Sequence, residues 1–182
     1  MGGVNGAEAL KALYALQEKD LEIDRLRAEA ESLPEELVAL QGQVETLEER
    51  LTNLLERRAE LEREYNRHSL DIEDLSAKEK QAEEEQKRAQ SAREQTQYEN
   101  RIQQIKDRIR ELLELSTPIM EAMENLEAEI AQVEEELAAL RPRLQELLEA
   151  NRARVAELEA AIAAKVEERT AMAAAIPAQI LK

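Results

Sequence analysis

The sequence predicts an all-α protein that forms a long antiparallel two-helix coiled-coil hairpin. The 182 residues include no Phe, Trp or Cys and only three Tyr, while 36% are charged, a composition typical of coiled coils and long helices. Apolar residues recur at alternating steps of three and four along two long stretches. Between these stretches lie two adjacent helix-start signals, at Ser91 and Thr96.

The predicted segments follow from these patterns in chain order. We expect a Gly-rich, disordered N-terminus over residues 1–8, a first coiled-coil helix over residues 9–91 and a hairpin tip over residues 92–96. A second coiled-coil helix is predicted over residues 97–176, and an exit segment over residues 177–182.

The first helix begins with a crowded apolar region. Between Ala9 and Leu26 the apolar residues cover more than one stripe, which indicates a third packed element or a contact with a second copy; a frayed end with scattered leucines is the alternative. The alanine-rich end of the second helix permits close approach of a partner, although high helix propensity explains the same alanines. The candidate docking face at this proximal end comprises Leu10, Leu13, Tyr14, Met172 and Ile176.

The heptad seam of the first helix runs from Ile23 to Ala89. Pro34 interrupts this seam, but Ser32 and Glu35 form a capping-box pattern around the proline, so we expect the helix to kink or restart there. The last three heptads carry polar or small residues at seam positions, which predicts a loosely packed distal end.

The second seam holds its register from Tyr98 to Leu147. A step of four residues at Asn151 is a stutter, which locally unwinds a supercoil. Pro118 and Pro142 lie inside this helix, and each is expected to bend it.

Two architectures fit such seams: one long helix that dimerises with a second copy, or a hairpin of two antiparallel arms. In an antiparallel pair, facing residue numbers add to a constant, and a constant of 184 sets Leu51 opposite Val133. The same constant sets His68 opposite Ser116, whereas a constant of 191, one heptad away, loses this match. We therefore predict the hairpin, with His68 and Ser116 as a polar, register-setting core layer.

The charge distribution marks the predicted tip. The whole chain has a formal charge of −16, which disfavours overall attraction to nucleic acid or anionic membranes. Residues 86–110 nevertheless carry seven basic side chains against three acidic ones. This basic tip is a candidate phosphate-binding surface, although a solvated helix face with Glu83–Lys87 and Glu84–Arg88 pairs explains the same charges. Its basic residues are Lys87, Arg88, Arg93, Arg101, Lys106, Arg108 and Arg110.

Several functional classes find no support in the sequence. The lack of cysteine excludes disulfides and thiolate zinc sites in this chain. Tyr65 stands where the Glu-x-x-His pattern of di-iron bundles would need a glutamate before His68. A two-helix rod offers no pocket to desolvate its many carboxylates, so no enzyme activity, cofactor or metal site is expected. No signal peptide or membrane span is recognisable, which favours a cytoplasmic protein.

Several stretches resemble the bacterial zinc-ribbon coiled-coil proteins. Residues 16–26 (LQEKDLEIDRL) and 33–37 (LPEEL) resemble the opening of that family. Residues 98–127 are similar to its second-helix entry with a Met-Glu motif, and residues 176–181 resemble its exit segment. In the family, a C-terminal ribbon with two Cys-x-x-Cys pairs binds zinc. That site is not carried over, because this chain has no cysteine, and zinc is expected only if a ribbon follows Lys182.

The resemblance implies interaction rather than catalysis, because members are regarded as adaptors or chaperones linked to transcription factors, secretion or flagellar systems and RNA. We predict a non-enzymatic adaptor that mediates protein–protein interaction, with a partner at the distal end and assembly, including homodimerisation, at the proximal end. The alternative is RNA or DNA binding through the basic tip. A chaperone that grips unfolded chains would need exposed apolar surface at the tip, where Tyr98 and Ile102 supply little.

Overall fold

The computed structural model describes residues 6–176, which form three helices and no strand. Helix α1 spans Gly6–Glu31, α2 spans Glu35–Lys87 and α3 spans Ala92–Ala174. The predicted antiparallel hairpin is confirmed, since α1 and α2 form one arm and α3 forms the returning arm.

The two ends of the chain differ in part from the prediction. Helix α1 begins at Gly6, so residues 6–8, which were expected to be disordered, form its first turn. The second long helix ends two residues earlier than predicted, and the chain continues in a turn to Ile176. Residues 1–5 and the predicted exit segment 177–182 lie outside the described residues.

The structure divides into two compact units. The terminal unit contains residues 1–44 and 139–182, and the central unit contains residues 45–138. Each unit contains a segment of both arms and has its own apolar core.

The core of the terminal unit draws on α1, α2 and the turn after α3. The residues that α1 buries are seven positions apart, the spacing at which a helix returns to the same face of a coiled coil. Ion pairs flank this core and join α1 to α3. They are Lys19–Glu168 at 2.8 Å, Glu22–Lys165 at 3.0 Å and Asp20–Arg169 at 3.0 Å. The buried residues are Ala9, Leu16, Ile23, Leu37, Leu40, Val44 and Ile176.

The helix break at Pro34 does not use the predicted capping box. Ser32 follows the last residue of α1 and bonds back to it, because its backbone N–H donates to the carbonyl of Ala28 at 3.1 Å and its hydroxyl to the carbonyl of Glu29 at 2.9 Å. Helix α2 restarts after Pro34, whose carbonyl accepts the backbone N–H of Val38 at 3.1 Å. Proline has no N–H to continue the first helix, so the chain breaks there and the carbonyl of Pro34 opens the next one.

The core of the central unit follows the predicted seam, and α3 contributes most of the buried residues, at spacings of three, four, seven and eleven that all fall on that seam. Two ion pairs join its arms, Arg58–Glu127 at 2.9 Å and Glu79–Lys106 at 3.8 Å. The residue numbers of both pairs add to 185, within one of the predicted 184. In the terminal unit Lys19–Glu168 and Glu22–Lys165 add to 187 and Glu36–Arg143 to 179, so the predicted constant holds only for the central unit. The buried residues are Leu61, Ala82, Ile102, Ile105, Leu112, Ser116, Ile119, Ile130, Val133 and Leu137.

The turn between the arms lies four residues earlier than predicted. Residues 88–91 connect α2 to α3, whereas residues 92–96, expected to form the tip, lie inside α3. The backbone N–H of Arg88 donates to the carbonyl of Glu85 at 3.0 Å and closes the end of α2. No residue in the described range has a positive φ, so this turn forms without a glycine.

Ser91 is the helix cap that forms. The backbone N–H of Glu94 donates to Ser91 Oγ at 3.2 Å, and the Glu94 carboxylate accepts the N–H of Gln90 at 3.2 Å. Thr96, the other candidate, donates from its hydroxyl to the carbonyl of Ala92 at 3.0 Å inside the helix. A start at Ala92 adds a turn of helix while both hydroxyls remain hydrogen-bonded, which explains why the first signal is used.

The two prolines of the second arm do not interrupt it. Helix α3 continues through both Pro118 and Pro142. The hydroxyl of Thr117, the residue before Pro118, donates to the carbonyl of Leu113 at 3.2 Å. Such bonding to the preceding turn keeps the hydroxyl satisfied without ending the helix.

Candidate interaction surfaces

The basic tip is exposed at all seven predicted positions. Three of its side chains are occupied by neighbouring carboxylates: Lys106 with Glu79 at 3.8 Å, Arg108 with Glu111 at 2.9 Å and Arg110 with Asp107 at 3.8 Å. Within the described range, Lys87, Arg88, Arg93 and Arg101 have no ion pair, and the expected Glu83–Lys87 and Glu84–Arg88 pairs do not form.

The free cations of the tip surround the turn itself. Arg88 lies in the connection and Arg93 in the first turn of α3, while Lys87 ends α2. Tyr98, the aromatic residue of this region, is half-buried. The tip can therefore offer point charges to an anion, but it lacks an exposed aromatic surface on which a base would stack.

The predicted docking face does not form one surface. Ile176 is buried in the core of the terminal unit, and Leu13 and Met172 are half-buried. Leu10 and Tyr14 are instead 66% and 64% exposed. The face is thus divided between the core and the solvent.

An exposed apolar stripe runs along α1 at this end of the hairpin. Leu10, Tyr14 and Leu21 lie on the same side of the helix, because successive residues are about 100° apart at 3.6 residues per turn. Each is more than half exposed. The crowding noted in the sequence therefore reflects one core-facing stripe and one exposed stripe.

The predicted His68–Ser116 layer is polar, but no hydrogen bond joins the two residues. Ser116 is buried, and its hydroxyl donates to the carbonyl of Leu112 at 2.8 Å. His68 is half-buried, and its Nδ1 atom is buried without a hydrogen-bond partner. Because the serine hydroxyl bonds to a carbonyl of its own helix, it is not a partner for the imidazole, and His68 Nδ1 has no hydrogen bond.

The central unit contains an apolar groove that the sequence reasoning missed. It runs along one side of the seam between α2 and α3, as two adjoining cavities of about 390 and 280 Å³ that share Tyr65 and Met120. Leu113 and Met120 on its rim are 52% and 47% exposed. We call this the central groove; its apolar lining residues are Tyr65, Ile72, Leu113, Met120 and Met123, and its uncharged polar ones are Ser69, Ser116 and Thr117.

Carboxylates line the two ends of the central groove. Glu73 lies at one end, and Glu124 and Glu127 lie at the other. Glu127 is paired with Arg58, whereas Glu73 and Glu124 have no ion pair among the described residues. The signal for this site in the sequence is Leu113 and Met120, two apolar residues left over once the seam positions are removed.

Arg154 is a second feature that the sequence reasoning missed. Its guanidinium donates to two backbone carbonyls at the end of α1, those of Glu29 at 3.0 Å and Ser32 at 2.7 Å. Asn151, the stutter residue, accepts from the same guanidinium at 3.0 Å through its side-chain oxygen. Helix C-termini leave carbonyls unsatisfied, and this arginine closes the break from the opposite arm.

Exposed ion pairs of the terminal unit shift the pKa values of their members. A hydrogen bond from Lys19 lowers the pKa of Glu168, and the same bond raises the pKa of Lys19. A hydrogen bond from Lys165 lowers the pKa of Glu22, and one to Glu36 raises the pKa of Arg143. These charges favour the paired antiparallel arrangement.

The described residues form neither a metal-binding cluster nor an enclosed polar pocket. They contain no group of three or more acidic, histidine or cysteine side chains placed to hold a metal ion. A surface cavity of about 540 Å³ is lined by Glu45, Glu48, Glu49, Thr52 and Asn53, all from one helix, so no second element encloses it. None of the described helices contains a stretch that is both long enough and apolar enough to cross a bilayer.

The sequence matches the CT398-like coiled coil hairpin domain family over residues 16–182. No curated protein matches it significantly. A solved structure from Mycobacterium smegmatis is similar with a TM-score of 0.78 and 24% identity, covering 97% of this chain and 75% of the other. The HP0958 protein from Helicobacter pylori is similar with a TM-score of 0.68 and 16% identity, covering 95% of this chain and 73% of the other. At these identities the similarity shows a shared fold.

Proposed function

This chain belongs to the CT398-like coiled coil hairpin domain family, and from that premise we propose that it is a non-enzymatic coiled-coil adaptor that mediates protein–protein interaction. One observation supports the proposal most strongly. The seam between the arms is filled, yet Leu10, Tyr14, Leu113 and Met120 remain about half or more exposed. Exposed apolar side chains that lie next to one another, as Leu10 and Tyr14 do on α1 and Leu113 and Met120 do on α3, are typical of surfaces that bind another protein.

Photo-crosslinking in cells tests the adaptor function. A photoreactive amino acid is placed at Tyr14 or Met120, and at Asp24 or Glu129 as exposed polar controls on the same helices. Discrete adducts to protein are expected at the two apolar positions and are identified by mass spectrometry. If the apolar positions yield no adduct beyond the controls, the chain is not an adaptor that uses these surfaces.

The second candidate function is RNA or DNA binding through the basic tip, favoured by three unpaired cations at the turn, Lys87, Arg88 and Arg93, and by Arg101 further along α3. Neutralising Arg93, Arg101 and Arg108 to Gln should then weaken binding of a labelled RNA oligonucleotide, and binding should fall steeply with salt. The matched control neutralises Arg50, Arg63 and Arg67, which are exposed and outside the tip. Equal loss in both variants, or salt-insensitive binding, removes this candidate.

Assembly at the proximal end belongs to the same proposal. A homodimer through the exposed stripe of Leu10, Tyr14 and Leu21 would bury side chains that are now in solvent. Sedimentation of the wild type and of the Leu10→Asp, Tyr14→Asp variant distinguishes a dimer from a monomer.

We place the adaptor in the cytoplasm.

We also propose that this chain is related to the zinc-ribbon coiled-coil proteins. It rests on the resemblance of residues 16–37 and 98–127 to the hairpin of those proteins. Since the 182 residues contain no cysteine, any zinc would be bound outside this sequence. Two Cys-x-x-Cys pairs following Lys182 in the gene product would support the relationship.

A further inference from the structure

We propose that the central groove is the docking site for a basic amphipathic helix of a partner protein. This inference rests on the adaptor function proposed above, and it names the surface and the chemistry of the partner. The groove lies wholly within the central unit, between residues 65–73 of α2 and residues 113–127 of α3.

The length and walls of the groove fit a helix. From Leu113 to Glu127 the groove follows α3 for about 21 Å, or four turns, at 1.5 Å per residue. Both walls are helices whose backbone groups are already bonded, so an extended peptide would find no backbone partners there. A helical ligand satisfies its own backbone and can lay an apolar face into the groove.

The apolar side chains of the groove are placed for a third helix. Leu113 and Met120 are seven residues apart on one face of α3 and project beside Tyr65 of the opposite arm. A seven-residue repeat of apolar side chains is the spacing at which a further helix packs along a coiled coil. Met120 and Met123 are flexible and polarisable, so they can adapt to different side chains of a ligand.

The charges of the groove select the partner. Residues 111–140 contain nine Glu and no Lys or Arg, and the groove carboxylates Glu73 and Glu124 are unpaired within the described range. A helix with an apolar face flanked by Lys or Arg would form ion pairs with these carboxylates. The same region of a second copy would bring acid against acid, which opposes self-association through this surface.

The test measures binding of a fluorescein-labelled 18-residue Leu/Lys amphipathic helix to the full chain by fluorescence anisotropy. Substituting the exposed rim residues Leu113→Gln and Met120→Gln should weaken binding by about tenfold or more, because a few apolar anchors dominate such interfaces. The matched control is Leu70→Gln with Leu115→Gln, two leucines of the same unit that are 62% and 51% exposed and lie outside the groove. The control should bind within about twofold of wild type.

Two further probes test the charge and the helical form of the ligand. A Leu/Glu helix of the same pattern should not bind measurably, and the charge reversal Glu73→Lys with Glu124→Lys should weaken binding of the Leu/Lys helix. A Leu/Lys peptide with proline at its centre should also lose affinity, because proline disrupts a helix.

Several results would overturn the inference. The first is equal weakening of binding in the groove and control variants, which would mean unspecific attraction to an acidic protein. The second is undiminished binding of the acidic or the proline-containing peptide. The third is self-association of the chain alone that depends on the groove residues. If the peptide test fails while crosslinking at Tyr14 still captures a protein, the adaptor function stands and the groove assignment falls. If crosslinking fails at Tyr14 and at Met120 as well, both fall.

Discussion

Arg154 Nη2 lies 2.7 Å from the carbonyl oxygen of Ser32, so a side chain of the second arm closes the helix break in the first. The same guanidinium reaches the carbonyl of Glu29 and is held by Asn151. The proline break and the stutter are therefore one structural feature of the terminal unit. The break supplies the backbone carbonyls of Glu29 and Ser32, and Asn151 at the stutter holds the guanidinium that donates to them.

Replacing Arg154 with Ala should destabilise the terminal unit. Two backbone carbonyls lose a charged donor, and we expect a loss of about 1 kcal/mol in the free energy of unfolding because the contact is partly solvated. Urea denaturation measures this loss, and hydrogen exchange at residues 28–38 localises it. Arg152→Ala, an exposed arginine nearby, is the control and should be close to neutral. Equal effects of the two substitutions would show that the contact contributes nothing.

Removing the cap at Ser91 should cost more than removing the hydroxyl of Thr96. Ser91→Ala leaves the N–H of Glu94 without its acceptor and should lower the free energy of unfolding by about 1 kcal/mol. Thr96→Ala removes a hydroxyl bonded within α3 and should change stability by less than about 0.5 kcal/mol. Denaturant unfolding of both variants compares them, and the reverse order would place the start of the helix at the second signal.

Replacing His68 with Leu should stabilise the central unit. The buried Nδ1 atom has no partner, and an unpaired buried polar group costs about 1–3 kcal/mol. We expect a gain toward the lower end of that range, because the residue is half-buried. Thermal and urea unfolding measure it. A loss of stability in His68→Leu would show that the imidazole has an interaction that the structure lacks.

The ion pairs of the terminal unit predict a specific dependence on pH. Glu22 and Glu168 have pKa values below the ordinary 4.5, so their pairs stabilise the folded state above that pH and lose this contribution as the pH falls through the lowered values. Lys19 has a pKa above the ordinary 10.5, so its contribution is present below that pH and is lost only as the pH rises through the raised value.

Unfolding temperatures at pH 7 and pH 3 test this dependence. The wild type should lose more stability on acidification than the Glu22→Gln, Glu168→Gln variant, which no longer has the carboxylates to protonate. Glu157→Gln with Glu167→Gln, exposed positions of the same unit, should behave as wild type. In 1 M salt the difference should shrink, since these pairs are solvent-exposed. An acid response that is the same in all three proteins would contradict the assignment.

The core was predictable from the sequence because burial in a two-helix coiled coil follows a single stripe. Leu112, Val133 and Leu137 are almost fully buried at positions fixed by the heptad repeat. The helix ends were harder to predict, since Ser91 and Thr96 offer equivalent local signals and only the complete hairpin determines which one is used.

Contacts between distant segments were not predictable from local pattern. The partners of Arg154 are backbone carbonyls, which every residue has and which leave no signature in the sequence. The predicted docking face grouped apolar residues because they lie at the proximal end of the hairpin, without assigning each to a helix face, so it mixed core residues such as Ile176 with exposed ones such as Leu10. The central groove required knowing which apolar residues the seam leaves unused.

The positions of the central groove and of the contacts between the arms depend on the register in which the arms pair. The distance between spin labels at Leu51 and Val133 tests this register most directly. The hairpin predicts an intramolecular separation below about 20 Å, twice the usual distance between packed helix axes, that persists when the labelled chain is diluted with unlabelled chain. A longer separation, or a short one that disappears on dilution, would mean that the arms pair in another register or with another molecule.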